Sequence, residues 1–179
     1  MPEPLAARRA WEGRWLSVWL EDWPGLEAYE TVRKHSAVGI VPRTPDGDVL
    51  LVRQLRPAVR DVLTEIPAGL LDVEGEDAVT CAARELLEET GYLAEELVFL
   101  GGAYLSPGFT DEYMQLFLAR TAAEPSGTPE DGIEVVRMPF AEAVEAAGAG
   151  RFRNASTALA LLLAAAHPTA SVRAGDAAR

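Results

Sequence analysis

"RELLEETGY", Arg84 to Tyr92, sets three glutamates among leucines and closes on a glycine. As a helix this stretch is crowded, because like charges three and four positions apart repel. With Glu85 at zero and about 100° per residue, Glu89 falls near 40° and Glu88 near 300°. The three carboxylates therefore share an arc of about 100° on one flank. Ala82, Leu86, Val79, Ala83 and Leu87 occupy the adjoining arc and are expected to face the core. The spacing predicts a helix from about Asp77 to Thr90, with Gly91 as its left-handed cap. Two readings of the acidic flank stand open. One is a solvated face, the commonest fate of a charge run. The other is a site for a hard divalent cation, which takes carboxylate oxygens, bridges to phosphates and offsets the repulsion.

On either side of this helix the chain reads as strands. "AVGIVPR" and "DVLLVRQLR" are β-rich and joined by "TPDGD", a hairpin signal. "LTEIPAGLL" is a short strand running into a loop. Strands are expected again at "LVFLGGAYL", at "YMQLFLAR" and at "IEVVRMPF", with "TAAEPSGTPEDG" as a polar surface loop. "FAEAVEAAGAG" and "NASTALALLLAAAH" read as two closing helices. Near the start, residues 15–20 alternate without a plainly polar face and end at the turn signal "DWPG". Two apolar faces imply cover from the chain's own core or from a second subunit. Hairpins on both sides of a central helix favour an α+β, α-β-α sandwich with a mixed sheet over a doubly wound parallel one.

At 179 residues the chain is expected to form one domain with an extension: an N-terminal β extension at 1–36, a main domain at 37–170 and a frayed tail at 171–179. The net charge of −12 disfavours nucleic acid and anionic membranes as partners. An anionic substrate would then need local cations, from arginines or a bound metal. With one cysteine, Cys81, no internal disulfide forms, and a cytoplasmic location is expected. Neither a secretory signal nor a membrane span is read in the chain.

Glu76 stands upstream with seven residues before Arg84. From Glu76 to Tyr92 the chain resembles the box of the Nudix hydrolases, G-x5-E-x7-R-E-U-x-E-E-x-G-U, where U is bulky and apolar. The one departure is a gap of six residues between Gly69 and Glu76, where the pattern has five. The resemblance implies a Nudix-type sandwich, Mg²⁺ or Mn²⁺ as cofactor, and hydrolysis of a small-molecule nucleoside diphosphate derivative. It implies that Glu85 and Glu89 are the principal metal ligands, that Glu88 is a further one, and that the Ala68 carbonyl contributes. Arg84 would orient a glutamate.

"SPGFTDE", Ser106 to Glu112, begins its proline fifteen residues beyond Tyr92. This offset, with "VRQLRPA" and "EIPAG", resembles the ADP-ribose pyrophosphatase subfamily. The likeness makes Glu112 the candidate base or metal-completing ligand, with Asp111 beside it; a box glutamate, Glu88, is the alternative catalytic carboxylate. Arg53 and Arg56 are candidates for holding phosphates, since a guanidinium forks onto phosphate oxygens. Glu30, as a polar contact to the base, and Leu70 complete the substrate-binding candidates. The subfamily's N-terminal strands commonly exchange across a homodimer, so a homodimer is expected, with Trp15, Trp19 or Tyr29 available to stack on adenine. The expected reaction cleaves ADP-ribose to AMP and ribose 5-phosphate. Another nucleoside diphosphate sugar such as GDP-mannose is the alternative, and a silent nucleotide-binding module is the reading from a different class.

Overall fold

Two strands with almost no polar positions form the centre of the fold: β4 (Ala37–Arg43) and β9 (Tyr113–Thr121), paired in parallel. Alternate residues of each serve opposite faces, so a strand covered on both sides reads as a continuous apolar run. Val38, Ile40, Phe117 and Ala119 pack on one face with Cys81, Ala82 and Leu86. Val41, Leu116 and Leu118 pack on the other with Ala143, Ala147, Leu161 and Ala164. Burying each large aliphatic side chain contributes about 2 kcal/mol.

The computed structural model describes residues 3–168. The tail expected over 171–179 lies outside the described residues. Around the central pair, β5 (Asp48–Arg56), β8 (Ala94–Tyr104) and β10 (Glu134–Pro139) complete the order β10-β5-β4-β9-β8. Strand β6 (Asp61–Glu65) pairs with β5, and β7 (Ala68–Leu70) pairs with β4. Every pairing but β4–β9 is antiparallel, so the seven-stranded sheet is mixed. Helix α1 (Ala78–Thr90) covers one face; α2 (Phe140–Gly148) and α3 (Ala155–Ala166) cover the other. This is the expected α-β-α sandwich. Among the described residues no helix is long and apolar enough to cross a membrane.

A second, three-stranded antiparallel sheet holds the N-terminal residues: β1 (Ala6–Glu12), β2 (Leu16–Trp23) and β3 (Leu26–Lys34). Only β2 was legible as a strand. The sequence "AARRAWE" does not alternate, and all of β1 is exposed, so it forms through its ladder with β2.

Helix α1 starts and stops where its residues require. Asp77 caps it by accepting from the Thr80 N–H at 2.7 Å. Gly91 takes φ 78° and returns its N–H to the Leu87 carbonyl at 2.8 Å. Two positions depart from the expected wheel. Val79, in the first turn of the helix, is exposed rather than in the core. Glu89 is buried instead, with 6% of its surface exposed.

Candidate active site

The box residues converge on Arg84. Its Nε and Nη2 donate to the two carboxylate oxygens of Glu76, both at 2.9 Å. Its Nη1 donates to Glu85 at 2.7 Å and to Glu88 at 2.9 Å. The three carboxylates raise the Arg84 pKa, and in return the guanidinium holds Glu76 below the usual carboxylate range. The extra residue before Glu76 is absorbed in a loop that turns at Gly75, φ 81°. The gap therefore disturbs neither end: Glu76 reaches Arg84, and Gly69 lies against Glu85. A Cβ at position 69 would fall 1.8 Å from the Glu85 carboxyl carbon, so any other residue there must displace that carboxylate.

Glu89 sits deeper. Its Oε2 accepts from the Ala68 N–H at 3.0 Å. Burial pushes its pKa up to about 7; the Ala68 hydrogen bond opposes this, Glu85 and Glu130 add to it, and Arg56 opposes it. Glu85 is also raised, by burial first, with Arg84 pulling it back. Two carboxylates are thus partly stripped of water without full compensation.

Glu130 was not legible as a functional residue, because it lies in the loop read as a polar surface segment. That loop docks on the end of α1. Ser126 and Gly127 donate to the Gly91 carbonyl at 2.8 and 3.1 Å, and the Glu130 N–H donates to the Glu88 carbonyl at 2.9 Å. The Glu130 charge consequently acts on both Glu85 and Glu89. No periodic signal marks such a residue; it is brought in by tertiary docking.

Beside the cluster opens a cavity of about 450 Å³, within the range of small-molecule sites. Four of the candidates, Arg56, Ala68, Leu70 and Glu112, line it, joined by Lys34 and Asn154, which were not singled out from the sequence. Arg56 donates from Nε to the buried Glu65 at 2.7 Å. Arg53 projects from the opposite face of β5, pairs with Glu134 at 3.0 Å and does not line this cavity. Glu30 is exposed on β3 and lines neither this cavity nor the smaller one described next.

Loop 106–112 is bound to β3. Val32 N donates to the Phe109 carbonyl at 2.7 Å, Asp111 N to the Val32 carbonyl at 3.3 Å, and Lys34 N to Asp111 Oδ1 at 3.1 Å. Tyr29 donates its hydroxyl to the Gly108 carbonyl at 2.5 Å and, with Tyr104 and Phe109, lines a second cavity of about 280 Å³. Trp19 is covered by Arg33, 4.1 Å from its ring, and Trp15 by Arg14 at 4.4 Å, so both indoles already carry a cation. Cys81 is buried and its thiol is pushed up to about 12, chiefly by burial, which makes it inert as a nucleophile.

The donor set fits a hard divalent cation. Glu85, Glu88 and Glu89 supply carboxylate oxygens, two of them with raised pKa, and the missing side chain at Gly69 lets the Glu85 carboxyl lie against the Ala68–Gly69 backbone. As placed, Arg84 draws Glu85 and Glu88 to itself, and among the described residues no three His, Cys, Asp or Glu side chains converge on one point.

Comparison with known proteins follows the same line. The family described as NUDIX domain matches residues 33–159. The chain is 33% identical over 165 residues to an ADP-ribose pyrophosphatase of Bacillus subtilis (strain 168), covering 88% of this chain and 89% of that one. It is 34% identical over 152 residues to a GDP-mannose pyrophosphatase of Yersinia enterocolitica, covering 79% and 78%. A solved structure titled as that of an ADP compounds hydrolase superposes with a TM-score of 0.74 at 26% identity, over 90% of this chain and 91% of that one.

Proposed function

The chain belongs to the NUDIX domain family, and from that premise we propose that it is a Mg²⁺-dependent pyrophosphohydrolase cleaving ADP-ribose to AMP and ribose 5-phosphate. The reading is carried by one relation: Ala68, which lines the cavity together with the half-exposed Arg56, donates its N–H to the buried Glu89 at 3.0 Å and so ties the carboxylate cluster to the cavity wall. A diphosphate placed there would have a guanidinium on one side and the carboxylate cluster on the other. Glu85, Glu88, Glu89 and the Ala68 carbonyl would hold the divalent ion, Mn²⁺ serving as well as Mg²⁺. Bound there, it supplies charge neutralisation on the phosphates and a more acidic water.

The chain's own groups perform the rest. Arg56 binds phosphate oxygens, and Arg84 orients Glu85 and Glu88. Water attacks one phosphorus, the bridging P–O bond breaks, and a carboxylate takes the water's proton. Glu112, the box carboxylate Glu88 and Glu130 are the candidates for that role; Arg84 already holds Glu88 at 2.9 Å, and between the other two one observation favours Glu130. Lys34 neutralises Glu112 at 2.7 Å, whereas among the described residues no cation pairs with the Glu130 carboxylate. Arg53 belongs with the outer face, where it could meet substrate only beyond the cavity. Leu70 supplies apolar wall, and Glu30 is left as a contact for the base.

The homodimer is part of the same reading. Leu5, Trp11, Trp15 and Leu26 of the N-terminal residues are exposed, and a second copy of this extension would cover them. The single cysteine and the acidic surface accord with a cytoplasmic enzyme. Domain limits of 1–36 and 37–170 fit the separate N-terminal sheet.

The test is a panel of ADP-ribose, GDP-mannose and related nucleoside diphosphate derivatives, with and without Mg²⁺, followed by release of nucleoside monophosphate. ADP-ribose should be cleaved best and only with the metal. Preference for GDP-mannose, which the Yersinia relative's name makes the second reading, would overturn the substrate. Metal-independent binding without product from any compound would make the chain a binding module.

A further inference from the structure

Glu65 is 2% exposed, yet both its oxygens are engaged. Oε2 accepts from Arg56 Nε at 2.7 Å, and Oε1 accepts from Asn154 Nδ2 at 2.5 Å. Asn154 is in turn fixed from its other end. Its Oδ1 accepts from the Thr157 N–H at 3.0 Å and from the Ser156 hydroxyl at 2.6 Å, which makes it the N-cap of α3. The residue just past β6 is tied to the same turn, Ile66 N donating to the Thr157 hydroxyl at 3.1 Å. A buried carboxylate with both oxygens taken by partners that are themselves held has little freedom to turn. Arg56, by contrast, is 40% exposed, and among the described residues only its Nε is used. Its two terminal nitrogens remain for a ligand.

We propose that Glu65 and Asn154 are positioning residues for Arg56, so that the first turn of α3 sets how well the cavity takes a diphosphate. The inference rests on Arg56 holding substrate phosphates. The two ends of Asn154 do different work: Oδ1 caps the helix, and Nδ2 holds Glu65. A cap needs only a short side-chain acceptor, which serine supplies almost as well. The amide donor is what serine lacks. With it gone, Glu65 loses one of its two anchors, and Arg56 gains freedom that binding must remove.

Steady-state kinetics with ADP-ribose and Mg²⁺ test this in three variants. Asn154→Ser should raise KM about three- to tenfold, the range of a broken network bond, with kcat little changed and thermal melting near that of the wild type. Arg56→Ala should raise KM further. In the double variant Asn154→Ser should add nothing, since its effect runs through the guanidinium. A purely structural cap would lower the melting temperature and leave the KM-against-kcat balance alone. A raised KM in Arg56→Ala with wild-type KM in Asn154→Ser, or fully additive effects, would overturn the inference while sparing the role of Arg56. A wild-type KM in Arg56→Ala would overturn both. If Asn154→Ser destabilises α3 too far to assay, Glu65→Gln removes the charge that holds Arg56 and should raise KM likewise; an unchanged KM there counts against the inference.

Discussion

Lys34 Nζ lies 2.7 Å from Glu112 Oε1, which joins the last residue of β3 to the last residue of loop 106–112 inside the cavity wall. The same strand holds the loop by backbone bonds at Val32 and by the Lys34 N–H on Asp111. The N-terminal sheet is therefore a platform for the loop. An extension that the sequence presents as a separate element reaches the site through one cation.

Replacing that cation should show the coupling. Lys34→Met leaves a partly buried carboxylate without its partner and is expected to cost about 1 kcal/mol, after discounting for the solvent that still reaches both groups. It should also increase amide exchange across residues 106–112 and lower kcat/KM. Urea melts with hydrogen exchange measure both. Unchanged exchange in the loop would mean that the backbone bonds to Val32 hold it alone.

Glu89 gives a pH dependence with a definite sign. Its ordinary value of 4.5 is raised to about 7 by burial in the metal-free protein. Between those values the folded protein keeps a proton that the unfolded chain has lost. The contribution to stability is present below the unfolded value and is lost as pH rises through about 7. In EDTA the melting temperature of the wild type should fall across this window more than that of Glu89→Gln, whose amide oxygen can still accept from Ala68. Added Mg²⁺ should raise the wild-type melting temperature above neutral pH and leave the variant unmoved. A variant that still responded to Mg²⁺ would place the ligands elsewhere.

The helix and its glutamates were legible because they depend on local period and fixed spacing. The hairpin at Gly47, the helix start near Asp77 and the stop at Gly91 belong to the same class of local signal. Glu130, Lys34, Glu65 and Asn154 were not legible as parts of a site, since each is delivered by contacts far apart in sequence. Asn154 did stand at the start of an apolar helix, but the caps of most helices hold nothing else. Arg53 and Arg56 looked equivalent in "LVRQLRP". An odd separation along a strand puts them on opposite faces, and only Arg56 turns to the cavity. The crowding of "RELLEETGY" is relieved locally by Arg84, which takes up Glu76, Glu85 and Glu88.

Gly69 offers a steric test that leaves every charged group in place. An added methyl would stand 1.8 Å from the carboxyl carbon of Glu85 and within 2.2 Å of both its oxygens. Gly69→Ala must move Glu85, because the neighbouring β7 backbone is tied to β4. The expected outcome is a folded protein with activity reduced at least about a hundredfold, the cost of misplacing a site group by about an ångström. Its Mg²⁺-dependent gain in melting temperature should shrink in parallel. Near-normal turnover would show that Glu85 can work from a different rotamer and that the glycine is there for the loop alone.

The proton acceptor can be identified by comparing two substitutions of equal size. Glu130→Gln keeps the backbone bond from residue 130 to the Glu88 carbonyl, so the loop should stay docked on α1. It removes a charge that acts on Glu85 and Glu89, and if that carboxylate takes the proton, kcat should fall about 10²- to 10⁴-fold. Glu112→Gln removes a carboxylate already neutralised by Lys34 and should cost far less in kcat, with the change appearing in KM. The pH profile separates the cases further. Loss of a general base flattens the acidic limb, whereas loss of a loop contact leaves its shape intact. If Glu112→Gln instead shows the large fall and the flattened limb, Lys34 must release Glu112 when substrate binds, and Glu130 acts only through its charge on the neighbouring glutamates.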